Sequence, residues 1–323
     1  MPPPILIATR GSALALAQAN MIQAQCRAAF PEQTFELRII RTTGDKLQTA
    51  SMAQAGASLP KGLFTKELEV ALLNREADLA VHSLKDLPTE LPPGLTLGAV
   101  APRADVRDVL IYRDARCPRE SLRGFAPDLR LADLPDRAVI GTSSTRRAAQ
   151  LLAAHPGLRT LEIRGNVSTR LQKVAERAEF DATILALAGL TRLNFQITAA
   201  GAILGDAVPA GLLAVVLDTE VMLPCVGQGA IGIEVRADDE RMAAVCARLN
   251  HADTLHCVTA ERAFLRGMGG GCQSPVAAHA EVAGVQVRMR AVSFRDAQVK
   301  RGEGQRPVGE AAELGVTLAK ELS

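Results

Sequence analysis

The segment Gly141-Thr142-Ser143-Ser144-Thr145-Arg146-Arg147 follows an apolar run at 138–140 and opens an amphipathic stretch that continues to about residue 154. The apolar run predicts a buried strand, and the spacing after it predicts a helix. At a strand-to-helix turn, free backbone N–H groups, small hydroxyls and the positive end of the helix dipole meet at one point. The segment therefore predicts an α/β unit with an anion site at its strand end.

The same arrangement recurs at three other points of the chain. Arg164-Gly165-Asn166-Val167-Ser168-Thr169-Arg170 follows the run 159–163, Thr9-Arg10-Gly11-Ser12 follows the run 5–8, and Thr191-Arg192 comes after a further apolar run. Guanidinium groups bind carboxylates and phosphates through paired hydrogen bonds. Four such points indicate a ligand that carries many negative charges and is too extended for a single pocket.

Composition limits the class of protein. The chain has 323 residues, of which 48% are hydrophobic and 22% charged, as expected for a globular protein with two or three domains. A net charge of +2, one Tyr and no Trp disfavour nucleic-acid binding. The N-terminus lacks the pattern of a secretion signal, and no apolar run approaches the length of a membrane span. We expect a cytoplasmic protein with no membrane or nucleic-acid partner.

Strand-like and helical patterns alternate along the first two thirds of the chain, which predicts two α/β units. In the first unit a helix is predicted from Ser12 to about residue 29, with Ser12 as its N-cap, and in the second a strand is predicted at 182–186. A strand predicted at 230–235 would return to the first unit, so that two connections join the units as a hinge. The last part combines helical patterns, two alternating stretches and a final helix, which predicts an α+β domain. The predicted domains are residues 1–101 with 216–237, residues 106–210, and residues 238–323. Ligands of open α/β sheets bind beyond the carboxyl ends of the strands, and we expect the ligand in the cleft between the first two domains.

The stretch Val81-His82-Ser83-Leu84-Lys85-Asp86-Leu87-Pro88 places a carboxylate where a predicted strand ends in a turn. Asp86 could balance a developing positive charge or carry a proton. The alternative is an Asp–Lys pair that only stabilises the loop.

A second chemically distinctive stretch is Gly269-Gly270-Gly271-Cys272-Gln273-Ser274-Pro275. Consecutive glycines allow the backbone to approach another group closely. This pattern favours an exposed, modifiable thiol at Cys272 over a flexible turn with an incidental cysteine. Cys26, Cys246 and Cys257 fall within helical patterns and are predicted to be buried thiols, and the cysteine spacing predicts no metal site.

Several phrases of the chain, in this order, resemble the porphobilinogen deaminase family, also called the hydroxymethylbilane synthase family. They are Ala8-Thr9-Arg10, Lys61-Gly62-Leu63-Phe64 with Lys66-Glu67-Leu68-Glu69, Ala80 through Asp86, Gly141 through Arg147, Arg164 through Arg170, Val226-Gly227-Gln228-Gly229-Ala230, and Gly270-Gly271-Cys272-Gln273. The resemblance extends from about residue 5 to residue 293.

The resemblance implies two hinged α/β domains like type II periplasmic binding proteins, plus a smaller α+β C-terminal domain. It also implies a monomeric transferase of tetrapyrrole and haem biosynthesis. Four porphobilinogen molecules would be condensed head to tail, with release of ammonia, on a covalent dipyrromethane primer. Hydrolysis would then release hydroxymethylbilane.

The resemblance also assigns residues. Asp86 would be catalytic, and the dipyrromethane would be attached through Cys272. Further cofactor contacts would come from Lys85, Ser83, Ser144, Arg146, Arg147, Asp45 and Thr142. Substrate contacts would come from Arg10, Ser12, Arg164, Arg170, Arg192, Lys61, Phe64 and Asn166.

Two alternatives remain at the level of the sequence. Two hinged lobes with anion-binding strand ends also describe a solute-binding protein, which should carry a secretion signal. An acyl-transfer enzyme could use Cys272 as the nucleophile with His279 or His82 as the base. A dipyrromethane bound to the purified chain would exclude both alternatives.

Overall fold

The computed structural model describes residues 3–42, 64–117, 122–206, 208–271, 274–296 and 298–323. The strands are β1 (Ile5–Arg10), β2 (Phe35–Ile40), β3 (Leu79–Ser83), β4 (Leu95–Val100), β5 (Asp108–Arg113), β6 (Val139–Gly141), β7 (Arg159–Leu161), β8 (Ala182–Ala186), β9 (Gln196–Ile197), β10 (Ile203–Leu204), β11 (Leu212–Val216), β12 (Ile231–Arg236), β13 (Val276–Ala283), β14 (Gln286–Ser293) and β15 (Lys300–Pro307). The α-helices are α1 (Ala13–Ala29), α2 (Lys66–Leu73), α3 (Thr145–Ala154), α4 (Val167–Glu176), α5 (Leu187–Arg192), α6 (Glu240–Leu249), α7 (Ala252–Gly267) and α8 (Ala311–Leu322).

The first sheet has the strand order β2-β1-β3-β12-β4. Strand β1 pairs in parallel with β2 and β3, whereas β12 is antiparallel to both β3 and β4. The predicted return of the chain to this unit through β12 is therefore confirmed. The sheet is mixed and not wholly parallel, because the returning strand enters it from the opposite direction.

The second sheet has the order β11-β5-β8-β6-β7. Strands β6, β7 and β8 are parallel to one another, and β5 is antiparallel to both of its neighbours, β8 and β11. Helix α3 follows β6, and helix α4 follows β7. The two strand-to-helix turns at 141–147 and 164–170 therefore lie side by side at the carboxyl ends of neighbouring strands.

The third sheet is the antiparallel series β13-β14-β15, which packs with α7 and α8 around one core. Strand β15 is not predicted by hydrophobic alternation, because its sequence Lys-Arg-Gly-Glu-Gly-Gln-Arg-Pro is polar. The glycines at 302 and 304 face leucines of α8, and a Cβ added at Gly304 would lie 2.9 Å from Leu314. The inward face of this strand is thus made partly of backbone.

The packing differs from the predicted domain boundaries at two places. Helix α6 buries Met242, Val245 and Cys246 in the core of the first sheet, although it lies beyond residue 237. Strand β11 pairs with β5 of the second sheet, although it lies beyond residue 210.

The buried thiols are confirmed. Cys26, Cys246 and Cys257 are buried, and burial raises their pKa values to about 11, 12 and 11. Within the described ranges, no helix combines the length and apolar character needed to cross a bilayer.

Candidate active site

Asp86 lies where strand β3 runs into a single 3₁₀ turn, Leu84–Asp86. Leu84 is buried and anchors this turn, while Lys85 and Asp86 remain half-buried at the strand end. Asp86 lines a cavity together with Arg10, Ser12, Phe64 and Ser83. The fold thus brings the ends of β1 and β3 together with the start of the α2 region.

The polar groups of this first wall have fixed positions. The Arg10 guanidinium lies 4.2 Å from the centre of the Phe64 ring, within the range of a cation–π contact. Ser12 caps α1, and its hydroxyl accepts from the Ala15 amide at 3.3 Å. The Ser83 hydroxyl accepts from Gln18 Nε2 at 2.9 Å. Helix α1 therefore orients both serines.

The second wall consists of the two strand-to-helix turns. Thr142 Oγ1 accepts from the Ser144 amide at 3.1 Å, and Ser144 caps α3 by accepting from the Arg147 amide at 3.4 Å. Asn166 caps α4 and accepts from the Thr169 amide at 2.8 Å. The side-chain oxygens at these three positions accept hydrogen bonds from backbone amides of the turns. A ligand would therefore be bound by the donor groups of these turns.

Arg146 and Arg147 are more deeply embedded than solvent-facing anion ligands would be. Their relative exposures are 3% and 6%, and both donate to the carboxylate of Asp108, at 2.8 and 2.7 Å. Sequence reasoning missed Asp108 because it lies 38 and 39 residues away, at the first position of β5. A charged residue entering a buried strand is the signal that could have revealed it.

Lys85, Arg147, Arg164 and Arg170 form a cationic cluster that meets Asp86. Burial, together with the neighbouring Arg147 and Arg164, lowers the pKa of Arg170 to about 10, and Asp86 opposes this shift. Burial also lowers the pKa of Lys85, Asp86 opposes this shift, and Arg147 adds to it. The cluster carries more positive than negative charge, which suits a ligand with several carboxylates.

The arginines of this wall differ in how they are held. Arg164 pairs with the half-exposed Glu162 through its Nε at 2.6 Å, and Arg170 donates from Nε to the carbonyl of Gly165 at 2.9 Å. Arg192, on α5, donates to the carbonyl of Gly229 at 2.6 Å. Burial lowers the pKa of Arg192 to about 10.

The two connections between the sheets lie side by side next to the site. The amide of Ala104 donates to the carbonyl of Gly229 at 3.0 Å. Gly229 has a φ of +84°, and a Cβ there would lie 2.4 Å from the carbonyl oxygen of Ala104, so this crossing requires glycine. Arg103 pairs with the buried Glu261 at 2.6 and 3.0 Å, which ties the first connection to α7.

The donor set fits a group with several carboxylates, such as dipyrromethane. The Nε atoms of Arg146, Arg147 and Arg192 are buried and have no hydrogen-bond partner among the described residues. Together with Lys85, Arg164 and Arg170, these side chains supply charge-assisted donors on one side of Asp86. Cys272, Asp45 and Lys61 lie outside the described residues.

Comparison with known proteins gives a consistent result. The family model for the dipyrromethane cofactor binding domain of porphobilinogen deaminase matches residues 5–244, and the model for its C-terminal domain matches residues 255–323. The porphobilinogen deaminase of Syntrophomonas wolfei is 42% identical over 98% of this chain and 94% of its own length. Those of Geobacter metallireducens and Paracoccus denitrificans are each 42% identical over 99% of this chain, and over 92% and 93% of their own lengths.

These matches favour neither the solute-binding nor the acyl-transfer alternative. They cover the segments that contribute the anion-binding strand ends, Asp86 and Cys272. The chain belongs to the porphobilinogen deaminase family.

Proposed function

We propose that this chain condenses four porphobilinogen molecules on a dipyrromethane primer and releases hydroxymethylbilane. The observation that carries the proposal is that Asp86 lies close enough to Lys85 and to Arg170 of the second wall to oppose the lowering of the pKa of both. Each porphobilinogen adds an acetate and a propionate group, so the growing chain is an extended polyanion. Such a ligand would neutralise the excess positive charge of this wall.

Asp86 is the proposed catalytic residue. Its carboxylate lines the cavity that contains Arg10 and Phe64, and its charge acts on Arg170 of the second wall. From this position it can balance positive charge that develops on a pyrrole nitrogen and hold or pass a proton at its Oδ atoms. When bound, the dipyrromethane supplies the free pyrrole α-carbon to which the first unit is added.

The remaining residues bind and orient. Lys85, Arg146 and Arg147, with the hydroxyls of Ser83, Thr142 and Ser144, would hold the carboxylates of the cofactor. Arg10, Ser12, Arg164, Arg170, Arg192, Phe64 and Asn166 would hold those of the incoming unit and the growing chain. Asp45, Lys61 and the Cys272 attachment stay predictions for residues outside the described part of the chain.

Successive additions at one carboxylate require the product chain to move away after each step. We propose that the two α/β lobes, which resemble those of type II periplasmic binding proteins, move about the paired connections. The hydrogen bond between Ala104 and Gly229 and the Arg103–Glu261 pair lie at this junction.

Intact-mass measurement of the purified chain tests the proposal directly. We expect the parent chain to carry excess mass equal to one dipyrromethane and to gain further units when porphobilinogen is added. Cys272→Ser should abolish the excess mass, because a serine hydroxyl is much less ionised than a thiol near neutral pH. Cys117→Ser, at an exposed cysteine, is the matched control and should keep the adduct.

Two results would contradict the proposal. One is a parent chain without added mass after expression in cells that make porphobilinogen. The other is an adduct that persists in Cys272→Ser or is lost in Cys117→Ser.

A further inference from the structure

Asp108 joins the second wall of the site to the connection between the lobes. It is 0% exposed; its Oδ2 accepts from Arg146 at 2.8 Å, and its Oδ1 accepts from Arg147 at 2.7 Å and from Gln228 Nε2 at 3.0 Å. We propose that Asp108 is a positioning residue that couples the anion affinity of Arg146 and Arg147 to the geometry of the hinge. This inference rests on the proposed role of the two arginines in binding pyrrole carboxylates.

The need for a positioning group follows from helix geometry. Arg146 and Arg147 are consecutive in α3, and consecutive residues of a helix do not face each other. A single carboxylate between the two guanidinium groups brings them together. Arg146 also donates to the Leu223 carbonyl at 2.7 Å, and Arg147 donates to the Ile184 carbonyl at 2.8 Å. Each guanidinium is therefore held through both of its terminal nitrogens.

The same hydrogen bonds reach both connections between the lobes. Gln228 Nε2 donates to the Val106 carbonyl at 2.7 Å as well as to Asp108. Leu223, which accepts from Arg146, precedes Gln228 in the second connection. A shift of either connection would therefore change the acceptors that hold the arginines. Lobe position and carboxylate affinity would then change together.

Asp108 remains charged throughout the working range of pH. Burial alone would raise the pKa of its carboxyl group, but Arg146 and Arg147 hold this pKa well below its ordinary value. Asp108 is thus a permanent counterion and not a titrating switch. Its proposed contribution is to position the two arginines. Removing it should therefore weaken carboxylate binding.

The decisive variant is Asp108→Asn in the cofactor-loaded enzyme. The remaining amide oxygen can accept from one arginine, whereas the amide NH₂ faces the donors of the other. If Asp108 only offset part of the positive charge of the arginines, removing its negative charge would tighten carboxylate binding and lower KM. If Asp108 positions the arginines, KM for porphobilinogen should rise about tenfold, which corresponds to about 1.4 kcal/mol. Intact-mass spectra should then show partly elongated enzyme accumulating.

The matched control is Asp181→Asn. Asp181 is also a buried carboxylate of the second lobe and also pairs with arginines, but its partners are Arg113 and Arg123. It lies at the amino end of β8, away from both connections. Both variants should lower the thermal midpoint. Only Asp108→Asn should raise KM and shift the distribution of elongated species. Gln228→Met, which removes one donor to Asp108 and keeps the carboxylate, should shift both in the same direction by a smaller factor.

The possible outcomes separate the hypotheses. An unchanged or lower KM in loaded Asp108→Asn, or an equal shift in Asp181→Asn, overturns the positioning role. If Asp108→Asn does not accumulate as folded protein, KM of Gln228→Met becomes the test. A KM equal to that of the parent then overturns the proposal. Arg147→Leu separately tests the proposed role of the arginines in binding pyrrole carboxylates. If this variant takes up the cofactor and elongates it like the parent, that role is wrong, and the inference fails with it. If Arg147→Leu is impaired while Asp108→Asn behaves like the parent, only the positioning role fails.

Discussion

At the scale of single residues, the candidate site depends on which partners each charged side chain interacts with. Asp86 opposes the lowering of the pKa of both Lys85 and Arg170, so its field extends to both. Arg146 and Arg147, in contrast, are already paired with Asp108. The sequence predicts which side chains are basic and near strand ends. It does not predict which of them already have a buried counterion, because that partner is distant in the chain.

Asp86→Asn should retain the fold and the dipyrromethane adduct and lose turnover by about four powers of ten. Charge stabilisation and proton transfer each contribute roughly 10² or more, and the amide supplies neither a negative charge nor a basic oxygen. Single-turnover kinetics of mass-verified, loaded enzyme provides the measurement. Asp238→Asn, at a carboxylate that is 74% exposed, should keep parent turnover. Near-parent turnover in loaded Asp86→Asn would remove the catalytic role.

At the scale of elements, capping and periodicity account for most of what is seen. The predicted helix that starts after Ser12 is confirmed, with Ser12 as its N-cap. The predicted strand at 182–186 and the helix at 145–154 have the expected bounds. Strand β15 was missed because its inward glycines contribute no hydrophobic alternation. Sequence patterns predict an element well where side chains make its contacts. They fail for β15, because glycine backbone makes part of its contacts with α8.

The N-cap of α6 offers an element-scale prediction. Asp239 accepts from the Met242 amide at 3.0 Å and from Arg236 at 2.5 Å. Asp239→Ala should lower the free energy of unfolding at neutral pH by about 1 to 3 kcal/mol. Asp239→Asn, which keeps a capping acceptor, should lose less. Urea denaturation measures both values, and Asp238→Ala next to it serves as the exposed control. Equal losses for Ala and Asn would argue against the cap.

The pH dependence of the Asp239 contribution has a definite sign. Burial acts to raise the pKa of this carboxyl group, but the Met242 amide and Arg236 lower it below its ordinary value. A lowered folded-state pKa stabilises the fold fully above the unfolded value of about 3.9, and this stabilisation is lost as the pH falls further. The difference between parent and Asp239→Ala should therefore be constant from neutral pH to about pH 5 and shrink towards pH 3. A difference that grows on acidification contradicts the assignment.

At the scale of the whole molecule, the two connections between the sheets run together close to the turn that carries Asp86. They touch where the Ala104 amide donates to Gly229, and Arg192 donates to the same carbonyl. Gly227, with a φ of +72°, lies against the backbone of Lys85, since a Cβ there would be 3.2 Å from the Lys85 nitrogen. The second connection therefore contacts the turn that carries Lys85 and Asp86.

Gly229→Ala should separate the connections and impair turnover. A Cβ would lie 2.4 Å from the Ala104 oxygen, and overpacking of this kind costs about 1 to 3 kcal/mol beyond the strain of a positive φ. Gly284→Ala is the matched control, because Gly284 has a φ of +63° and no neighbour within 4 Å. Its expected cost is only the backbone strain, about 1 to 2 kcal/mol. Thermal midpoints and turnover numbers are compared, and equal effects of the two variants would show that the crossing does not matter.

The order of residues is enough to predict the alternation of strands and helices, the cap at Ser12, the buried thiols and the family. These features depend on short-range periodicity, on capping within a few residues, or on motifs read in order. Three contacts become visible only in the folded chain: Asp108 pairs with Arg146 and Arg147, α6 packs on the first sheet, and β11 pairs in the second. Local patterns do not predict them, because the residues that meet are far apart in the chain. A buried ion pair across 38 residues, or the choice of which sheet receives a helix, depends on topology and on the competition between whole surfaces for burial.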